Sequence, residues 1–150
     1  MNKKVRAAEY AALAEIRYRI RQFVRGSDAA ALESGLEPQQ YQLLLALHTF
    51  PNPADASIRA LSERLYLKHH STVGLVDRLE ARGYVKRLPS KRDQRQVIVA
   101  LRPGGKQALE RVVSQRLHEL RESGPDLIRA LTAVLRKSEG PASKPKGTRK

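Results

Sequence analysis

The sequence predicts a mainly α-helical domain with one small β hairpin, and three observations lead to this prediction. Apolar residues recur every three or four positions along most of the chain, which is typical of amphipathic helices. Two short apolar runs flank the polar stretch at residues 89–95 and predict two paired strands. The length of 150 residues and the 41% of hydrophobic residues suit one domain with its own core.

Two helices are predicted in the N-terminal third. We expect the first to span residues 7–25 and to stop at Gly26, because glycine commonly follows the last turn of a helix. Pro38 opens the second helix, over residues 39–49, since proline suits the start of a helix. The run LLLAL makes this helix apolar nearly all round, so we expect it to be the most deeply buried.

Two short helices in close succession then predict a helix-turn-helix. The first spans residues 57–65, with Ser57 as its N-cap. The second spans residues 69–82, and Gly83 follows it as a helix-ending glycine. Its buried stripe has the spacing i, i+3, i+4, i+7 and consists of Thr72, Leu75, Val76 and Leu79.

The predicted hairpin follows directly, and a hairpin after a helix-turn-helix makes a winged helix. Its strands, residues 84–88 and 96–101, flank a tip at residues 89–95. In a winged helix the second short helix fits the major groove of DNA. The hairpin reaches the adjacent backbone or minor groove.

Two more helices and a basic tail complete the chain. The Pro-Gly-Gly sequence at 103–105 ends the strand and starts a helix, which the Gly-Pro pair at 124–125 breaks. A last helix is predicted over residues 126–137. Residues 140–150 carry four cations but no acid and no large apolar residue, so we expect a disordered basic tail.

The charge balance favours a polyanionic partner. Lys and Arg number 29 against 15 acids, which gives a formal net charge of +14. Nucleic acid is the first candidate and an anionic membrane surface the second, while the plain alternative is a soluble basic surface. No segment is apolar for long enough to span a membrane, and we expect a cytoplasmic protein. Without cysteine, no disulfide, zinc–thiolate site or thiol switch can form.

Cations concentrate at the predicted tip, where a single acid lies among them. We assign Arg95 to the minor groove, because the negative potential of A·T-rich DNA attracts an inserted arginine. Lys91 and Arg92 are assigned to phosphates, and Asp93 to orienting the tip by a bidentate bond to a neighbouring guanidinium. The alternative is a solvated basic turn, in which Asp93 is an ordinary turn residue.

The outer face of the second short helix supplies the other predicted DNA contacts. Histidine and serine can bind base edges and phosphates, arginine can hold a phosphate, and glycine permits a close approach of the backbone. The residues are His69, His70, Ser71, Val73, Gly74 and Arg78. Beyond the helix, the basic surface extends to Arg82, Lys86 and Arg87.

Catalysis and metal binding are disfavoured by the spacing of the polar residues. Neighbouring side chains on a helix point about 100° apart, so His70 and Ser71 do not form a nucleophile and base pair. The histidines lack the i, i+4 spacing that holds a metal ion on one helical face. We therefore expect no enzyme activity and no cofactor.

The stretch LSERLYLKHHSTVGLVDRLEARGYVKRLPSKRDQRQVIVALRPGG resembles the core of the MarR (multiple antibiotic resistance regulator) family of transcription regulators. The likeness covers residues 57–105, and the order of the surrounding helices also fits. Its most specific parts are LVDRLEARGYVKR and the S-x-x-D-x-R pattern of the tip, which puts the family's wing arginine and aspartate on Arg95 and Asp93. Many members carry S-T-V-T-R where this chain has HSTVG, so the base contacts are not carried over.

The resemblance implies one domain of residues 1–139 that forms a homodimer. Its winged-helix core would span residues 36–102, and the pairing helices would be residues 7–25 and 104–138. The resemblance also implies a small-molecule site between the pairing helices and the DNA-binding lobe. Side chains that could line this site are Arg17, Tyr18, Tyr41, Gln42 and His48, although Tyr41 and His48 also suit the core or its boundary.

The sequence thus predicts a sequence-specific, double-stranded DNA-binding transcription regulator. It would act as a ligand-responsive homodimeric repressor on a pseudo-palindromic operator. The alternative is a nucleoid-type or RNA-binding basic protein that uses charge without reading sequence. The chain has no tryptophan and two phenylalanines, which disfavours stacking on single strands.

Overall fold

The computed structural model describes residues 4–136, which form a winged helix flanked by two long helices. The elements are α1 (Ala7–Glu33), α2 (Pro38–His48), a 3-10 turn (Pro53–Asp55), α3 (Ile58–Leu65), α4 (His69–Ala81), β1 (Val85–Pro89), β2 (Val97–Leu101) and α5 (Pro103–Leu135). The predicted class, mainly α-helical with one hairpin, is confirmed. The predicted basic tail at residues 140–150 lies outside the described residues.

The first helix is longer than predicted. α1 continues to Glu33, so the predicted stop at Gly26 is wrong. Gly26 lies against α5 instead, where a Cβ atom would come within 2.6 Å of Nη1 of Arg116. The glycine that ends α1 is Gly35, whose left-handed φ of 77° lets the chain turn into α2. Close packing between helices therefore explains Gly26, and helix termination explains Gly35.

The last two predicted helices are one helix. α5 continues through the Gly-Pro pair, so the predicted break and the separate helix at 126–137 are wrong. A proline inside a helix costs roughly 3 kcal/mol, because it removes a hydrogen bond and crowds the preceding turn. Here α5 packs along α1, and Arg19 of α1 pairs with Asp126 just after the proline, at 3.5 Å. Packing between the two long helices offsets the cost of the proline.

The predicted helix-turn-helix is present as α3 and α4. Ser57 caps α3 by accepting the N–H of Ala60 at 3.0 Å, and all four residues of the predicted stripe of α4 are buried. The hydroxyls of Ser62 and Thr72 lie 2.8 Å apart between the two helices. Tyr66 makes the turn with its backbone in the left-handed conformation, at φ 54°. Residues other than glycine, asparagine and aspartate seldom adopt this conformation.

The hairpin closes over an aliphatic core. β1 and β2 pair antiparallel with Val85 opposite Leu101, and both strands agree with their predicted bounds to within one residue. Val85 and Val99 are buried together with Leu43 and Leu44 of α2. The apolar run in α2 therefore lies in the core, as predicted.

The start of α5 lies in close contact with the residue that precedes β1. The carbonyl oxygen of Tyr84 accepts the N–H of Arg102 at 2.9 Å. A Cβ atom on Gly105 would lie 2.3 Å from that oxygen, so the backbone would have to move. A Cβ atom on Gly104 would meet its nearest neighbour, the Tyr84 ring, at 3.6 Å. The second glycine of the pair, and not the first, permits the close approach.

Replacing Gly105 by alanine is expected to lower the free energy of unfolding by about 1–3 kcal/mol, because the added atom overlaps the backbone of Tyr84. The matched change Gly104→Ala is expected to leave that free energy unchanged or to raise it by up to about 1 kcal/mol, since alanine favours a helix. Urea unfolding at one fixed protein concentration measures both. Equal losses in the two variants would show that the Tyr84 contact does not restrict residue 105.

Candidate nucleic-acid interface

The tip of the hairpin and the start of α4 lie on the same face of the molecule. Arg95 of the tip and His69 of α4 line one cleft of about 380 Å³. Ser57 and Arg59, from the start of α3, line it as well. A duplex placed against this cleft would meet the hairpin and the helix-turn-helix together.

The exposed surface of α4 is narrower than predicted. His69, His70 and Ser71 are exposed in its first turn. Val73 and Gly74 are half-buried, and Val73 packs against the core. The first turn of α4 therefore offers imidazole and hydroxyl groups, which can donate or accept hydrogen bonds at base edges and phosphates.

Arg78, one turn further along α4, already has partners. Its guanidinium donates to the carbonyl oxygen of Gly74 at 3.3 Å and pairs with Glu37, before the start of α2, also at 3.3 Å. Both charged side chains are about half exposed, and exposed ion pairs stabilise by at most about 1 kcal/mol. A phosphate could therefore replace Glu37 as the partner of Arg78.

Asp93 orders the tip through backbone groups. Its Oδ1 accepts the N–H of Arg95 at 3.0 Å, and its carbonyl oxygen accepts the N–H of Gln96, also at 3.0 Å. The buried Ser90 hydroxyl accepts the N–H groups of Arg92 and Asp93 at 3.3 and 3.2 Å. No guanidinium of a described residue binds the Asp93 carboxylate, so the predicted bidentate bond is not formed. The acid shapes the tip by making a turn.

The cations of the tip differ in their partners. Arg92 pairs with Asp55 of the 3-10 turn at 2.8 Å. Lys91 and Arg95 are exposed, and neither forms an ion pair with another residue between 4 and 136. Two of the three predicted cationic contacts are therefore free to meet an anion, and Arg92 must first leave Asp55.

Two arginines that were predicted to extend the basic surface hold the fold together. Arg87 of β1 binds Asp77 and Glu80 of α4, the latter at 2.9 Å. Burial would lower the pKa of Arg87, but the bonds to the two carboxylates outweigh this effect and raise the pKa above its ordinary value. Arg82 donates to the carbonyl oxygen of Gly35 at 2.7 Å. Neither guanidinium is an unpartnered surface cation.

Sequence reasoning missed Arg59, which lines the cleft from the first turn of α3. Its side chain is exposed and pairs loosely with Glu63, at 3.4 Å. Together with Arg95, it gives the cleft two cations from different elements. The position of Arg59 in the sequence could have indicated this role. It lies in the first turn of α3, the helix just before α4, and it faces the same cleft as the start of α4.

The residues predicted to line a ligand site are spread over two helices. Arg17 and Tyr18 are exposed on α1, and Gln42 is exposed on α2. Tyr41 packs against the core, while His48 lines a cavity of about 270 Å³ beside β2. These side chains come from α1 and α2, and their role as a ligand site stays a prediction.

A cavity of about 370 Å³ lies between α1 and α5, and a buried arginine forms part of its wall. Arg116 is 6% exposed, pairs with Glu119 and donates to the carbonyl oxygen of Phe23 at 3.2 Å. Burial raises the pKa of Tyr41 on α2, and the charge of Arg116 opposes part of this rise. Arg116 thus lies where the two long helices meet the DNA-binding lobe. The sequence alone did not distinguish it from the exposed arginines.

The two long helices expose a broad apolar surface. It includes Leu13, Ile20, Phe23, Val24, Leu117, Ile128, Leu131, Val134 and Leu135, which are between 38% and 70% exposed. Large apolar patches on a folded chain are typical of surfaces that a partner covers. No helix within residues 4–136 combines the length and apolar character needed to cross a bilayer.

Comparison with known protein sequences agrees with this geometry. Residues 34–96 match the sequence profile described as the MarR family. YsmB, an uncharacterized HTH-type transcriptional regulator of Bacillus subtilis (strain 168), is 30% identical over 84 residues. The match covers 56% of this chain and 58% of YsmB, so this chain spans little more than half the length of that relative.

Solved structures share the fold over most of the chain. AbsC, a MarR family transcriptional regulator from Streptomyces coelicolor, superposes with a TM-score of 0.72 at 18% identity, covering 87% of this chain and 89% of AbsC. A MarR family protein from Bacillus stearothermophilus superposes with a TM-score of 0.67 at 26% identity, covering 79% of this chain and 81% of that one. Together with the profile match across the winged-helix core, these likenesses show that the chain has the winged-helix fold of MarR family transcriptional regulators and is similar to them in sequence.

Proposed function

We propose that this chain is a homodimeric repressor that binds a pseudo-palindromic duplex and releases it when a small molecule binds. The observation that carries the proposal is the shared cleft, because Arg95 and His69 can reach one duplex at the same time. Binding near a promoter would block polymerase, which makes repression the expected outcome. Binding to DNA by charge alone would not require the hairpin tip and α4 to lie on one face.

The proposed contacts with bases come from two elements. α4 enters the major groove with His69, His70 and Ser71 at its leading turn, while Val73 and Gly74 form the flank that approaches the duplex. Arg95, whose guanidinium forms no ion pair with another residue between 4 and 136, enters the adjacent minor groove. Asp93 holds the turn that presents Arg95.

The proposed contacts with phosphates surround these base contacts. Lys91 is free to bind a phosphate, and Arg92 and Arg78 would exchange their exposed carboxylate partners for phosphates. Arg59 would bind the phosphate backbone from the first turn of α3. These contacts fix the position of the protein on the duplex, and the contacts of α4 and Arg95 select the sequence.

Pairing of two chains would go through α1 and α5, which carry the exposed apolar surface. Covering this surface with a second copy removes apolar area from water, which is the usual driving force for association. In a two-fold dimer, the two α4 helices would lie about 34 Å apart, one turn of the duplex. The pairing helices and the winged helix would act as one domain.

The effector would bind in the cavity between α1 and α5. The charges in its wall are paired, Arg116 with Glu119 and Arg19 with Asp126, so the cavity suits a polar, hydrogen-bonding small molecule. The charge of Arg116 also acts on Tyr41 of α2, which belongs to the DNA-binding lobe. A ligand there would change the angle between the pairing helices and the lobes. The ligand would bind more tightly to a dimer whose two α4 helices are not one duplex turn apart. It would therefore shift the population away from the DNA-binding state.

A non-specific nucleoid-type or RNA-binding protein is the alternative, and the net charge of +14 favours it. Selection of bound fragments from random duplex DNA supplies the test. We expect the selected duplex to bind roughly a thousandfold more tightly than random duplex, measured by anisotropy at one salt concentration. Equal affinities would support the alternative.

Arg95→Ala is expected to weaken binding to the selected duplex by about 1–3 kcal/mol, because it removes the minor-groove contact. The matched variant Arg111→Ala removes the same charge from an exposed position on α5 and should change the affinity little. Mobility-shift titration measures both, with circular dichroism to confirm folding. Unchanged affinity in Arg95→Ala would remove the hairpin from the mechanism.

Leu131→Asp is expected to convert the dimer to monomer or aggregate, because it puts a charge into the apolar pairing surface. His118→Asp, on the polar side of the same helix, serves as the control and should remain dimeric. Light scattering at several concentrations gives the mass of each variant. An intact Leu131→Asp dimer would exclude pairing through this surface.

A further inference from the structure

The outer face of the hairpin forms a groove that the proposed base contacts do not use. The groove lies between the hairpin and the 3-10 turn and has a volume of about 440 Å³. Leu88, Ile98 and Ala100 line it from the hairpin, and Pro53 and Ala54 line it from the turn. Successive residues of a strand face opposite sides, so these side chains lie on the side away from the one that Arg87 uses to bind α4.

This groove has an aliphatic floor and a cationic rim. No aromatic ring lines it, and Leu88 remains 39% exposed on its floor. Lys91 and Arg92 form the rim. This combination fits an alkyl chain with a carboxylate at one end, because the chain would leave water while the carboxylate would meet two cations.

The two rim cations are accessible to such a carboxylate. Lys91 forms no ion pair with another described residue, so it can bind a ligand directly. Arg92 is held by Asp55 at 2.8 Å, but both side chains are about half exposed or more, and exposed ion pairs are weak. A ligand carboxylate can therefore replace Asp55.

We propose that the groove binds a medium-chain aliphatic carboxylate of about eight to ten carbons, a size suited to a pocket of a few hundred Å³. The alkyl chain lies on Leu88 and the prolines, and the carboxylate binds Lys91 and Arg92. The site is separate from the cavity between α1 and α5.

The effect of the carboxylate on the affinity for DNA rests on the proposed function, in which Lys91 and Arg92 bind phosphates. A carboxylate that occupies Lys91 and Arg92 competes with the duplex for them. Because coupling between two ligands is reciprocal, the carboxylate lowers the affinity for DNA by the same factor by which DNA lowers the affinity for the carboxylate.

Decanoate is the probe for the groove, and calorimetric titration of the full chain without DNA measures its binding. We expect saturable binding that Leu88→Gln weakens at least tenfold, because the amide puts a polar group on the aliphatic floor. Val97→Gln is the matched control, since Val97 is 38% exposed on the opposite face of the same hairpin. Its affinity for decanoate should equal that of the parent. No effect of Leu88→Gln, or equal effects of both changes, would overturn the site.

The carboxylate is tested separately from the alkyl chain. Lys91→Gln should weaken decanoate binding by severalfold and leave the binding of decanol unchanged. Decanol itself should bind the parent chain more weakly than decanoate does. Equal binding of the two probes, or equal weakening of both by Lys91→Gln, would show that the rim does not recognise a carboxylate.

Competition with DNA is measured with the selected duplex. Decanoate should raise the Kd of the parent chain for this duplex and should have at least tenfold less effect on Leu88→Gln. Groove binding without any change in the Kd would overturn the competition, although DNA binding would stand. Failure to prefer any duplex before decanoate is added would reject the proposed function, while the calorimetric result for the groove would stand.

Discussion

The bonds from Arg87 to Asp77 and Glu80 attach the hairpin to α4, and the geometry of the candidate interface depends on this attachment. A two-stranded hairpin is marginally stable by itself in water, so it needs support from another element. The two carboxylates are three residues apart on one face of α4 and hold two nitrogens of the same guanidinium. Since α4 begins with His69, the helix that we propose to face the duplex also positions the tip.

The distribution of acids decides where the excess positive charge appears. Asp77 and Glu80 neutralise an arginine of the hairpin, and Glu119 neutralises the buried Arg116. Lys91 and Arg95 at the tip have no acidic partner among residues 4–136. These two side chains therefore keep their charge available to an anion, whereas Arg87 and Arg116 do not.

Local patterns predicted the core elements well, because the apolar stripe of each helix is also the face that packs. They failed at Gly26 and at the Gly-Pro pair of α5, where contact between two distant helices outweighs the local preference for a break. The hairpin was predicted as a DNA contact, but the partners of its cations were not. Asp55 precedes Arg92 by 37 residues, and only the fold brings them together. For the same reason the sequence did not distinguish buried Arg116 from the exposed arginines.

The continuity of α5 also restricts how the chain can vary in length. The helix has 33 residues and is about 50 Å long at 1.5 Å per residue. Its first turn is fixed against Tyr84, and its far half carries much of the exposed apolar surface. Successive residues of a helix are about 100° apart around its axis. Inserting or deleting one residue between these ends would therefore rotate the apolar surface by about 100° relative to the first turn of α5. In the proposed dimer, the second copy would then present its α4 out of phase with the duplex. The direction in which the apolar surface faces, relative to the winged helix, therefore depends on the number of residues in α5.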